Sequence, residues 1–202
     1  ANHRPDGTAS VRSAFEAFDI PLDTIWKLQR LHAARRGRLG VHLVWDEADP
    51  RAAPLVHRLT GLLTTLGDSQ DAPGEGIDVR HWSYADWPPA EPRWDDFEDN
   101  VVVLLWRLDK PLWAEPAFAN SVWVDRLLTR GPRVVQAVHV PADQVDPPPD
   151  GFESQGYREL LWSSSAPSNS PIGSEADVLS AVLWAVTLSL RPIAGLTPVR
   201  PE

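Results

Sequence analysis

Residues 39–67, LGVHLVWDEADPRAAPLVHRLTGLLTTLG, decide the fold. Leu39 to Trp45 is an apolar run of strand length, and Asp49-Pro50 after it supplies a helix N-cap with proline at the first helical position. Leu55, Leu59, Leu62, Leu63 and Leu66 then recur at helical spacing on one face, and Gly67 ends the segment. A strand, an acidic turn and an amphipathic helix form the opening unit of an α/β protein.

The same alternation continues outward from there. Ile77 to Trp82 (IDVRHW) reads as a second strand, and Val101 to Trp106 (VVVLLW) as a third whose unbroken apolar character suits burial on both faces. A helix is predicted from about Pro116 to Thr129, carrying Phe118, Val122, Leu127 and Leu128 and stopping at Gly131. Arg133 to Val140 (RVVQAVHV) is the fourth strand and Glu159 to Trp162 (ELLW) a short fifth. Ser174 and Asp177 make an S-x-x-D capping pattern ahead of a last, very apolar helix. Strands alternating with helices predict an α/β fold with an open, mostly parallel five-stranded sheet. The predicted order is 2-1-3-4-5, flavodoxin-like, with helices on both faces. No internal repeat points to a solenoid or propeller.

Ahead of this unit, residues 1–38 read as a helical extension packed on the main domain. Val11, Ala14, Phe15 and Phe18 are helically spaced, and a segment from about Leu22 carries Ile25, Trp26 and Leu31. Its basic end, Arg30, Arg35, Arg36 and Arg38, complements a helix dipole, with Gly37 and Gly40 as stop signals. The main domain is assigned to 39–191 and a tail to 192–202, with disorder expected at 1–7 and in the tail.

Composition narrows the function classes. A length of 202 residues suits one domain, since domains cluster near about 100–150 residues. A net charge of −9 repels a phosphate backbone, so nucleic acid is not an expected partner. Zero cysteine excludes disulfides, thiolate metal sites and a cysteine nucleophile. The longest apolar run, Val178 to Leu190, falls short of the ~20 residues of a membrane span and reads as a buried helix. With no methionine, Ala1 is not read as the native start; the expected compartment is the cytoplasm.

In open α/β sheets ligands gather outside the carboxyl ends of the strands where the strand order reverses, here between strands one and three. Strand one delivers Asp46, Glu47 and Asp49 to that crevice. Strand two delivers Ser83, Tyr84 and Asp86; strand three delivers Arg107, Asp109 and Lys110, with Glu115 further on; strand five delivers Ser163, Ser164 and Ser165. Each has a plainer reading beside the functional one. Asp49 suits a helix cap, and Asp46 with Glu47 suits either a solvated pair or hard ligands for Mg²⁺. His42, His81 and His139 lie in or beside strands but need not share a face, so no metal site is assigned. The long segment Ser83 to Asn100 (SYADWPPAEPRWDDFEDN) holds Trp87 and Trp94, which either line an aromatic cleft or pin the loop. Pro141 to Gly156 and Ser163 to Ser174 are two further irregular loops. Nucleophile-elbow, P-loop and Rossmann glycine patterns are absent from the sequence.

Two families share this order of elements. The receiver domain of two-component signalling would explain Asp46 and Glu47, but needs an aspartate ending strand three and a lysine ending strand five; those places read Trp106-Arg107 and Trp162-Ser163. From about Gly40 to Leu190 the chain more closely resembles the Toll/interleukin-1 receptor (TIR) domain and its bacterial relatives. VHLVWDEADPRAAPLVHRLTGLL resembles that family's first strand, acidic loop and helix, and Trp94 resembles the tryptophan of its loop before strand three. The family's Ser-x-Trp segment with a following catalytic Glu is matched by Ser121-Val122-Trp123, but Leu127 stands where the Glu is expected, with Asp125 two positions off. The resemblance implies an interaction or sensing module in bacterial signalling or defence, engaging a protein partner or a second copy through Trp87 and Trp94. The alternative it implies is an NAD-cleaving enzyme with NAD as substrate, no resident cofactor, Glu115 as catalytic residue, and Asp46, Ser83, Tyr84 and Asp109 binding ligand. A third reading is a small-ligand binder without turnover at the same crevice.

Overall fold

The computed structural model describes residues 27–29, 38–67, 76–84, 86, 100–110, 133–144, 159–166 and 172–190. Five strands form one sheet: β1 (Leu39–Trp45), β2 (Ile77–Ser83), β3 (Val101–Arg107), β4 (Arg133–His139) and β5 (Glu159–Trp162). Their order is β2-β1-β3-β4-β5, and every pairing is parallel. The sheet class and strand order thus match those drawn from the sequence, and each strand end falls within one residue of its expected place.

Two helices of 16 residues, α1 (Ala52–Gly67) and α2 (Glu175–Leu190), are described in full. α1 begins where the sequence places it, because Asp49 Oδ1 accepts the Arg51 amide at 3.0 Å and its carbonyl accepts the Ala52 amide at 3.2 Å. It buries Leu55, Val56, Leu59, Leu63 and Leu66, while Leu62 is only partly covered. α2 starts from Ser174, whose amide and hydroxyl both donate to Asp177 Oδ2, at 2.6 and 2.8 Å. No described helix is long and apolar enough to cross a membrane.

Side chains alternate across the sheet, so residue parity sorts the two faces. Leu39, Val41, Leu43, Val101, Val103, Leu105, Val135, Ala137, Leu160 and Trp162 form one core with α1 and α2. An Arg58–Glu175 ion pair of 2.5 Å links the two helices on this side. Residue 28 belongs to the same core, and Gln29 Nε2 donates to the Leu66 carbonyl at 3.0 Å, satisfying an orphan group at the end of α1. Val44, Val102, Leu104, Trp106, Val138 and Leu161 form a second core on the opposite face, with Tyr84 and Ile172. The helix expected at 116–129, the rest of the 1–38 extension and the 192–202 tail lie outside the described residues.

One glycine has a different role from the one its sequence position suggests. Gly40 is the second residue of β1 rather than a helix stop. A Cβ there would stand 2.9 Å from Asn100 Cγ and Oδ1, so the absent side chain makes room for that carboxamide. Gly40→Ala is therefore expected to lower stability by about 2 kcal/mol through overpacking. Gly61→Ala, in the α1 interior with nothing within 4 Å, is expected to raise it by about 1 kcal/mol. Urea denaturation of the two variants checks both signs.

Candidate functional site

The strand order reverses between β1 and β3, so the chain leaving each strand defines the two sides of one crevice. β1 runs into a turn in which the Asp46 carbonyl accepts the Asp49 amide at 2.9 Å. Asp46 Oδ1 accepts the Ala48 amide at 3.0 Å, fixing the carboxylate over the strand end. β3 runs into a tight turn closed by Lys110 N–H donating to the Arg107 carbonyl at 3.0 Å. That turn carries Lys110 across the crevice, where Nζ stands 3.1 Å from Asp46 Oδ2. Two groups 64 residues apart in sequence thus meet at the switch point.

Burial acts to raise the Asp46 pKa, but the Ala48 amide and the Lys110 ammonium outweigh it and hold the carboxyl below its ordinary value. Arg107 donates from Nε to Asp109 Oδ1 at 2.8 Å and from Nη2 to Oδ2, a two-pronged pair on the exposed turn. This partner holds the Asp109 carboxyl low as well. The strand ends therefore present ionised carboxylates interleaved with cations, each partly exposed.

Ser83 and Tyr84 are placed differently. Ser83 Oγ donates to Asp86 Oδ2 at 2.7 Å and accepts the Asp86 amide at 3.2 Å, so its hydroxyl serves the turn that ends β2. The buried Tyr84 hydroxyl donates to the Leu105 carbonyl, which ties the turn to the core. Ser163 is buried and its Oγ accepts the Ser165 amide at 3.3 Å. Glu115, Trp87 and Trp94 lie outside the described residues.

The three histidines occupy three separate places. His81 is exposed, 3.3 Å from the Thr60 hydroxyl. His42 is 2% exposed inside β1, where Trp82 Nε1 donates to its Nδ1 at 3.0 Å and Asn100 stands 3.2 Å from its Nε2. Burial, reinforced by Arg80 and opposed by Asp78, lowers its pKa from 6.5 to about 4. Asn100 Oδ1 also accepts the Gly40 amide at 3.2 Å, which makes a polar link from β2 across β1 to the start of β3. An indole only donates, so neutral His42 accepts at Nδ1 and carries its proton on Nε2. Asn100 gives its oxygen to the Gly40 amide and turns its Nδ2 toward His42 Nε2, so two donors face each other at that contact.

His139 ends β4 at the carboxyl edge, on the face that α1 and α2 cover. Burial lowers its pKa, with Arg51 and Arg107 adding to the effect and Asp49 and Asp109 opposing it. Its Nδ1 and the Nε1 atoms of Trp45 and Trp162 are buried without hydrogen-bond partners among the described residues. Such orphans cost roughly 1–3 kcal/mol each, and native proteins hold few of them. All three stand at the last residue of a strand. Periodicity marks these residues as strand and core; it carries no signal for an unmet N–H, which depends on what the neighbouring side chains offer. Comparison with known proteins finds no matching family model, no significantly similar curated protein and no significantly similar solved structure.

Proposed function

We propose that this chain is a sensing module, TIR-like in arrangement, that binds a small polar ligand at the carboxyl ends of β1 and β3 and passes the bound state to a protein partner or a second copy. The observation that supports it most is the Asp46–Lys110 pair spanning the switch point. An exposed pair of this kind contributes little stability, on the order of 0–1 kcal/mol, so a ligand can displace it cheaply. The ribose hydroxyls of a nucleotide such as NAD suit Asp46 as donors, and its phosphates suit Lys110 and Arg107 as acceptors. Trp87 and Trp94 remain the proposed contacts for the partner.

Hydrogen–deuterium exchange with and without NAD tests this reading. Protection of the turns at 46–49 and 107–110 is expected, with the apparent affinity falling about tenfold in Asp46→Asn and in Lys110→Ala. Unchanged exchange in both turns would count against a nucleotide-binding crevice. Release of nicotinamide during the same incubation would move the reading to an NAD-cleaving enzyme, and Glu115→Ala would then have to abolish it.

A further inference from the structure

We propose that His139 and Trp162 form a subsite for one oxyanion of the ligand, a carboxylate or phosphoryl group, on the α1 and α2 side of the strand ends. The assignment rests on reading the strand-end crevice as a ligand site. Its position follows from register. Arg107 of β3 is paired with His139 of β4, and His139 with Trp162 of β5, so the three residues form one row across the sheet. They share parity with Leu105, Ala137 and Leu160, whose side chains join the core beneath the two helices. With strands about 4.8 Å apart, the row spans about 10 Å, the scale of a small ligand.

The chemistry of the row is one-sided. Trp162 is 2% exposed and His139 is 6% exposed, and their rings meet edge to face at 4.8 Å between centroids. Neither Trp162 Nε1 nor His139 Nδ1 has a hydrogen-bond partner among the described residues. Indole N–H can only donate, and a neutral imidazole donates from Nδ1 in one of its tautomers. Among the described residues, the two acidic side chains that act on His139 hold other bonds: Asp49 accepts the Arg51 amide and Asp109 accepts Arg107. Among the described residues no acceptor serves either atom, and Arg51 and Arg107, whose charges both act on His139, favour one that carries negative charge. A cation or a ligand donor would leave the indole unmet. Arg107 is the movable part, because its present partner Asp109 sits on the exposed 107–110 turn and a ligand oxyanion can take that carboxylate's place. The bond formed by Trp162 Nε1–H replaces none that the described residues make.

The test follows indole N–H signals of the isotopically labelled full chain by NMR. The chain holds ten tryptophans, and the signal of Trp162 is identified by its loss in Trp162→Phe. Titration with inorganic phosphate and, separately, with acetate is expected to move the wild-type Trp162 signal downfield and saturably. The anion with the higher affinity tells phosphoryl from carboxylate. Arg107→Gln is expected to weaken that response about tenfold. A Trp162 signal that stays in place under both anions would assign its N–H to the His139 ring or to a buried water, and the subsite falls. A shift of the same affinity in Arg107→Gln overturns it equally. Either failure leaves the crevice reading standing if NAD still protects the 46–49 and 107–110 turns, and loss of that protection removes the crevice reading instead.

Discussion

Acidification from pH 7 to pH 4 is expected to lower the stability of this protein by about 3 kcal/mol through His42 alone. The His42 pKa is about 4 in the folded chain against 6.5 for an ordinary histidine, so the unfolded chain takes up the proton first. The stabilisation is complete above pH 6.5, falls as pH drops through the interval between 6.5 and 4, and is gone below it. Protonation also turns Nδ1 into a donor facing the donor Trp82 Nε1, which breaks the link between β2 and β1. His139, whose pKa is lowered as well, adds to the loss in the same direction. Urea midpoints measured across this range for the wild type and for His42→Gln isolate the effect. The glutamine oxygen can still accept from Trp82 but does not titrate, so the variant should show a distinctly shallower decline. Parallel pH profiles for the two proteins would refute the assignment.

Leu43→Ala is expected to cost about 3 kcal/mol or more. Leu43 is fully buried in β1, flanked by β2 and β3, in the core that α1 and α2 cover. Its truncation loses the transfer free energy of the removed carbons and leaves a cavity that a central parallel strand, held on both edges, cannot close. Leu62→Ala on the partly covered flank of α1 should cost under half as much, since water can fill the space. Chemical denaturation of both variants at neutral pH measures the contrast. Equal losses would mean that α1 does not seat on the sheet as described.

The fold was legible because its signals are local and redundant. VVVLLW at 101–106 cannot hide from a hydrophobic scan, and Asp49-Pro50 states the start of α1 in two ways at once. Strand order followed from the alternation and the handedness of crossovers, which leave few arrangements. The site was only half legible. Asp46, Asp109 and Lys110 could be placed at the crevice from strand ends alone. That Tyr84 would spend its hydroxyl on Leu105, or that His42 would sit between Trp82 and Asn100, depends on residues 21 to 58 positions away meeting in three dimensions. Gly40 misled for a related reason: a glycine before an apolar run resembles a helix stop, while its purpose is set by Asn100, 60 residues later.

The all-parallel sheet also has a consequence for how the chain reaches this structure. A parallel pair cannot close through a two-residue hairpin; each needs a crossover of a dozen residues or more. No pair of neighbouring strands here can therefore nucleate locally, and β1 must wait for both β2 and β3 before its edges are filled. Loop closure has to precede the reward of pairing, which places refolding at the slow end for a chain of this size. On the ribosome, the Leu39–Trp45 segment emerges long before its second partner. During that interval an apolar strand with an open edge is available to other chains, and the helix that follows it immediately, α1, is the first element able to shield one of its faces.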